Sequence, residues 1–165
     1  MASRRPAWIP WVLGGLGFYL LFRKPFGSPR YKPGSPEQIE LFTAAAAKLG
    51  VPSSWASDPG LIQIMELESG GWVGIPNYTY RPYHTPKNRS HWPRIWSELR
   101  QGIKSTKASA TGLGQLLLAN VDKYYPNGRA GIGDALSEAI GMLNYIKIRY
   151  GTPTHAWEHR SQGMY

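Results

Sequence analysis

Leu61-Ile62-Gln63-Ile64-Met65-Glu66-Leu67-Glu68-Ser69-Gly70-Gly71-Trp72 is the stretch on which the reading of this chain turns. Asp58-Pro59 precedes it, an N-cap side chain followed by a ring that pre-sets the first helical φ. Leu61, Ile64, Met65 and Glu68 then fall at i, i+3, i+4 and i+7, one stripe of one helix. Three members are apolar and the fourth is a carboxylic acid. Glu66, two residues back, lies about 200° round the helix and looks elsewhere. The spacing therefore singles out Glu68, aimed along the buried face just before a Gly-Gly break. Desolvation raises a carboxyl pKa, and a raised pKa is what a general acid needs near neutral pH. The plain alternative is a rim residue, solvated or paired with an arginine.

The neighbouring segments read as helices too. Ser35-Pro36-Glu37-Gln38 has the pattern of a capping box and predicts a helix to about Leu49, ending at Gly50, with Ile39, Phe42, Ala46 and Leu49 on its apolar face. Others are predicted over about Trp92 to Gln101, with Ile95, Trp96 and Leu99 inward, and over about Leu116 to Tyr124. A long one runs from Asp134 to about Tyr150, stopped by Gly151 and Pro153, and a short one covers about Thr154 to Gln162. No segment alternates as a strand does, so the domain reads as all-α.

The 165 residues suit one compact domain with something attached, and 42 % hydrophobic residues suffice for a core. There is no cysteine, which excludes disulfides, a thiolate nucleophile and Cys-ligated zinc. Of the net charge of +9, residues 1–33 hold six positive side chains (Arg4, Arg5, Arg23, Lys24, Arg30, Lys32) and no acid. That basicity flanks an uncharged run, Pro6 to Phe22, with Trp8, Trp11 and Tyr19 as interface anchors. Seventeen helical residues span about 25 Å against a hydrocarbon core of about 30 Å. Pro10, Gly14, Gly15 and Gly17 weaken that helix, and no small-residue cleavage site follows Phe22. The organisation expected is a hydrophobic membrane anchor over residues 1–24, a Pro/Gly-rich linker over 25–34 and a domain over 35–165, with the membrane engaged through residues 6–22. Charges flank the apolar run on both sides and give no firm orientation.

Between Gly70 and Tyr83 lies a long irregular stretch with Trp72, Tyr78, Tyr80 and Tyr83, followed by Lys87, Arg89, His91 and Arg94. Loops of this length are usually functional or mobile. Such aromatics among cations can stack on sugars or bases, or serve as core. His84 and His91 lack metal-ligand spacing, so no metal is expected. Further on, Ala110-Thr111-Gly112-Leu113-Gly114-Gln115 lets backbone approach a ligand closely, or forms a structural turn. It is not a phosphate loop, lacking the lysine and hydroxyl that should follow.

Glu68-Ser69, then Ala110-Thr111-Gly112-Leu113-Gly114-Gln115, then a helix ending in Tyr150-Gly151 and a final Ala156-Trp157 together resemble the soluble type of lytic transglycosylase, which shares the fold of goose-type lysozyme. Arg149-Tyr150-Gly151-Thr152-Pro153 and the terminal Gly-Met-Tyr are similar to transglycosylase domains of bacteriophage virion proteins. The resemblance covers about residues 36–165. It implies an all-α, lysozyme-like transglycosylase domain preceded by a short hydrophobic N-terminal helix. It implies cleavage of the β-1,4 bond between N-acetylmuramic acid and N-acetylglucosamine in peptidoglycan, with a 1,6-anhydro product and no cofactor. Glu68 would be the catalytic acid and base. Ser69 would steady it or touch sugar. Gly112, Leu113 and Gln115 would line the substrate turn.

Two departures from the family pattern bear on the site. Residues 72–107 form a longer interval than usual, read as an insertion walling one side of the groove. The family's Ala-Tyr-Asn is here Ala156-Trp157-Glu158. The hydroxyl that orients the acid would then fall to Tyr145 or Tyr150, and Trp157 to packing. The partners expected are peptidoglycan glycan strands and a membrane, in a virion or a bacterial cell envelope, with no nucleic acid. A muramidase on the same fold, a non-catalytic wall-binding module and a DNA-entry protein are the rival readings.

Overall fold

A computed structural model of the protein describes residues 28–103 and 108–163. Within them the chain is helical, in the order α1 (Pro36–Leu49), a 3-10 turn (Ser53–Ser57), α2 (Pro59–Ser69), 3-10 turns at Tyr78–Tyr80 and Pro86–His91, α3 (Trp92–Gln101), α4 (Leu118–Tyr124), a 3-10 turn (Gly128–Gly131), α5 (Ala135–Tyr150) and α6 (Pro153–Ser161). The all-α expectation holds for these residues. No helix among them is long and apolar enough to cross a membrane. The expected hydrophobic anchor over residues 1–24 lies outside the described residues.

Local chemistry starts and stops the helices. Ser35 caps α1 and Asp134 caps α5, each side chain accepting from the backbone N–H three residues on. Asp58 Oδ1 accepts from Gly60 N–H at 2.7 Å and Thr152 caps α6. Gly50 and Gly70 end α1 and α2 in the left-handed conformation. The inward face of α1 is Gln38, Leu41, Phe42, Ala45 and Ala46, with the expected Ile39 and Leu49 only partly buried. The rotation follows from Gln38. Its amide donates to Ala56 O at 2.9 Å and accepts from Gly34 N–H at 3.0 Å, so a polar residue holds a core position the apolar pattern had not assigned it.

Among the described residues two apolar clusters form the core. The larger joins α1, α2, α5 and α6 through Leu41, Phe42, Leu61, Met65, Leu143 and Ala156. The smaller joins α3 and α4 to the loops through Tyr80, Ile95, Leu99, Val121, Tyr125 and Ile132. Trp157 packs against the larger one.

The domain does not start abruptly at residue 35. Tyr31 is buried in the larger cluster, and its N–H donates to Gly71 O at 2.9 Å. Val73 N–H donates back to Pro29 O, closing an antiparallel bridge between Arg30 and Trp72. The prolines that gave residues 28–34 the composition of a linker leave these donors and acceptors in place. The segment is laced to the chain that leaves α2.

Candidate functional site

Glu68 sits in the last turn of α2, whose Leu61, Ile64 and Met65 are buried while Glu66 is exposed. The Glu68 side chain is 15 % exposed and forms an ion pair with Arg160, Oε1 to Nη2 at 2.9 Å. Burial raises the Glu68 pKa above the ordinary glutamate value, and the Arg160 guanidinium pulls it back down.

α2 and α6 lie side by side, running in the same direction. At their N-terminal ends Thr154 Oγ1 donates to Asp58 Oδ2 at 2.9 Å. There Gly60 lies so close to α6 that a Cβ on it would stand 2.6 Å from Pro153 O. At their C-terminal ends Glu68 meets Arg160. Ser69, expected beside the acid, is buried. Its Oγ donates to Met65 O and accepts from Gly71 N–H, both at 3.2 Å. That hydroxyl faces its own backbone and helps end the helix.

The backbone leaving α2 runs within a few residues to the glycine turn. Gly112 N–H donates to Ile75 O at 3.0 Å and Asn77 N–H to Ala110 O at 3.0 Å, while Thr111 bridges both Pro76 and Leu116. These isolated bridges have no strand pattern in the sequence because each is only a residue or two long. Gln115 has φ +46, and its Nε2 donates to Ile75 O at 2.9 Å and Gly112 O at 3.2 Å. Its amide therefore shapes the turn from within. Leu113 is buried with its side chain in the larger core cluster.

Beneath the turn lies a group that the sequence reading did not select. Glu138 on α5 is 0 % exposed. Its Oε2 accepts from Gly74 N–H and Leu113 N–H, each at 3.0 Å, and its Oε1 from Gly133 N–H at 2.8 Å. One carboxyl thus joins three loops. Gly112 has φ +78, and a Cβ there would lie 2.7 Å from the Glu138 carboxyl carbon and 2.9 Å from Tyr125 Oη. Burial pushes the Glu138 pKa up to about 7, against the lowering effect of the three N–H bonds. Burial and the Glu138 charge also push the Tyr125 hydroxyl well above its ordinary value.

Tyr145 and Tyr150 are brought together. Their rings are 5.9 Å apart, with Tyr124 at 5.5 Å from Tyr145 and His159 at 5.3 Å from Tyr150. Burial and the hydrogen bond to Tyr150 push Tyr145 up to about 12. The His159 contact lays the C-terminal half of α6 against α5, one residue before Arg160.

Both overlooked residues carried a signal. Glu138 lies on the stripe of Ala135 and Met142, the same logic that selected Glu68. Arg160 follows buried Ala156 at i+4 and Trp157 at i+3.

The basic aromatic stretch is divided in use. Trp92 and Tyr80 are buried, while the Trp72 ring meets the guanidinium groups of Arg30 and Arg89, at 5.7 and 4.8 Å. Tyr78 is exposed under Arg81. Among the described residues no cluster of His, Asp and Glu could hold a metal. Compared with models of known families, with curated proteins and with solved structures, the chain matches none.

Proposed function

We propose that the domain is a lysozyme-like peptidoglycan lytic transglycosylase, tethered to a membrane through residues 6–22 and acting locally in a virion or a cell envelope. The observation that carries this reading is Glu68: a largely buried carboxyl at a helix end, its pKa raised by desolvation, beside a cation that compensates its ionised form. Those are the properties of a group that first gives and then takes a proton.

In this reading protonated Glu68 donates its proton to the glycosidic oxygen as the C1–O bond of N-acetylmuramic acid breaks. The carboxylate so formed removes the proton from the 6-hydroxyl of the same sugar. That oxygen bonds to C1, giving the 1,6-anhydro ring and restoring the acid. Glycosidases ordinarily use a pair of carboxylates. Glu138, fully buried among the described residues, is committed to three backbone donors, so in this reading Glu68 performs both transfers alone. The turn Gly112–Gln115, with Leu113 held by its N–H and Gln115 bonded inward, presents backbone to the glycan.

The test is digestion of purified peptidoglycan by the full chain in detergent, beside Glu68→Gln, with released muropeptides weighed by mass spectrometry. Anhydro products that disappear in the variant are the expected result. Reducing-end products of one water more make the domain a muramidase. Intact wall that nevertheless retains the protein makes it a binding module.

A further inference from the structure

We propose that Arg160 is the positioning residue of this site, fixing the direction of the Glu68 carboxyl at the end of α2. The inference rests on the reading of Glu68 as the acid and adds to it the group through which α6 acts on that acid.

A glutamate at a helix end turns about three side-chain bonds, and a general acid works only from a narrow range of directions. α2 itself supplies no anchor. Glu66 faces away and is exposed, and the chain beyond Ser69 is Gly70-Gly71. The anchor comes from α6, where Arg160 Nη2 reaches Glu68 Oε1 at 2.9 Å, with the two side chains 28 % and 15 % exposed.

Arg160 in turn is held by its helix. At the start of α6, Thr154 is bonded to Asp58 and Pro153 O sits against Gly60. In the middle Ala156 is buried and Trp157 packs on the core. At the end His159 lies on Tyr150. The guanidinium therefore arrives from a helix fixed along its length.

Arg160 is also the charge acting on Glu68, opposing burial. Around it, the 3-10 turn packed on α2 (Ser53–Ser57) has no titratable side chain, and Asp58 is at the other end of α2, bonded to Gly60 and Thr154. On α6, Glu158 and His155 are exposed and His159 is turned to Tyr150. Glu68 is thus kept acidic enough to shed its proton, and its carboxylate is compensated once it has done so. Lysine would keep the charge but carry it on a mobile ammonium in place of the planar guanidinium whose Nη2 meets Oε1.

The experiment compares the full chain with Arg160→Gln and Arg160→Lys, all in detergent. The Glu68 side-chain carboxyl is followed by 13C NMR against pH, and muropeptide release is followed against pH and substrate concentration. In Arg160→Gln we expect the Glu68 midpoint to rise, the alkaline limb of the activity profile to rise with it, and kcat to fall about tenfold or more at little changed KM. Arg160→Lys is expected to restore the midpoint and only part of kcat. A Glu68 midpoint that is the same in the parent and Arg160→Gln overturns the inference, as does a fall in activity with no shift of the pH profile. If the parent chain leaves peptidoglycan intact, the transglycosylase reading fails, and the NMR midpoint still decides whether Arg160 governs Glu68.

Discussion

Leu113 donates its backbone N–H to Glu138 Oε2 at 3.0 Å, across 25 positions of sequence, and Gly74 donates to the same oxygen at the same distance. A buried oxygen with two such donors fixes the glycine turn and the exit from α2 against a single helix. Replacing Glu138 by Ala leaves the buried N–H groups of Gly74 and Leu113 and the half-buried one of Gly133 unpaired, and opens a cavity. We expect a loss of about 3 kcal/mol or more, read as a shift in the urea midpoint. A midpoint within error of the parent would show that water replaces the carboxyl without cost.

The same group sets a dependence on pH. In the folded chain its pKa is about 7, above the ordinary glutamate value of 4.5. The folded state therefore binds more protons than the unfolded state between those values, and stability falls as pH rises through the window. The contribution is full below the ordinary value and is lost above about 7. The size is about 3 kcal/mol. Urea titrations at pH 5 and pH 8 should show the parent losing more stability than Glu138→Gln. Equal losses would assign the dependence to other groups.

Gly112→Ala tests the close approach of the turn. The residue has φ +78, and the new methyl would press on the Glu138 carboxyl and Tyr125 Oη. A destabilisation of about 2–4 kcal/mol is expected, measured by thermal or urea denaturation. A silent substitution would mean the turn is free to move outward.

Tyr31→Ala asks whether the segment before α1 belongs to the folded unit. Tyr31 lies in the larger core cluster and is bonded to Gly71. Truncating it should cost about 2–4 kcal/mol. A change below about 0.5 kcal/mol, typical of surface sites, would return residues 28–34 to the status of a linker.

Activity against peptidoglycan should decline as pH rises through the raised Glu68 pKa, because the proton donor is then lost. Glu68→Gln should lower the rate by about 10²–10⁴-fold, the range of a general acid. Muropeptide release measured across pH shows both effects. An alkaline limb that persists in residual Glu68→Gln activity would point to another titrating group.

Much of the helical framework was legible from caps and breakers. Ser35, Asp58, Asp134 and Gly50 mark helix ends through contacts within four residues, and such contacts are written in local sequence. The stripe of Leu61, Ile64, Met65 and Glu68 was legible for the same reason. What escaped depends on long-range pairing. Nothing near Glu138 in sequence announces Gly74 or Leu113, and Arg160 is one of many surface-type cations until α6 is placed beside α2. Tyr31 was obscured by composition: the prolines around it suggested a linker, while its burial depends on Gly71 forty residues on.

The side-by-side course of α2 and α6 makes α6 a splint for the end of α2. It is seated at one end by Thr154 on Asp58, in the middle by Ala156 and Trp157 on the core, and at the other end it meets Glu68 through Arg160. Gly151, with φ +80, separates that splint from α5. The carboxyl on which the proposed chemistry depends is therefore braced by a helix some ninety residues away in sequence.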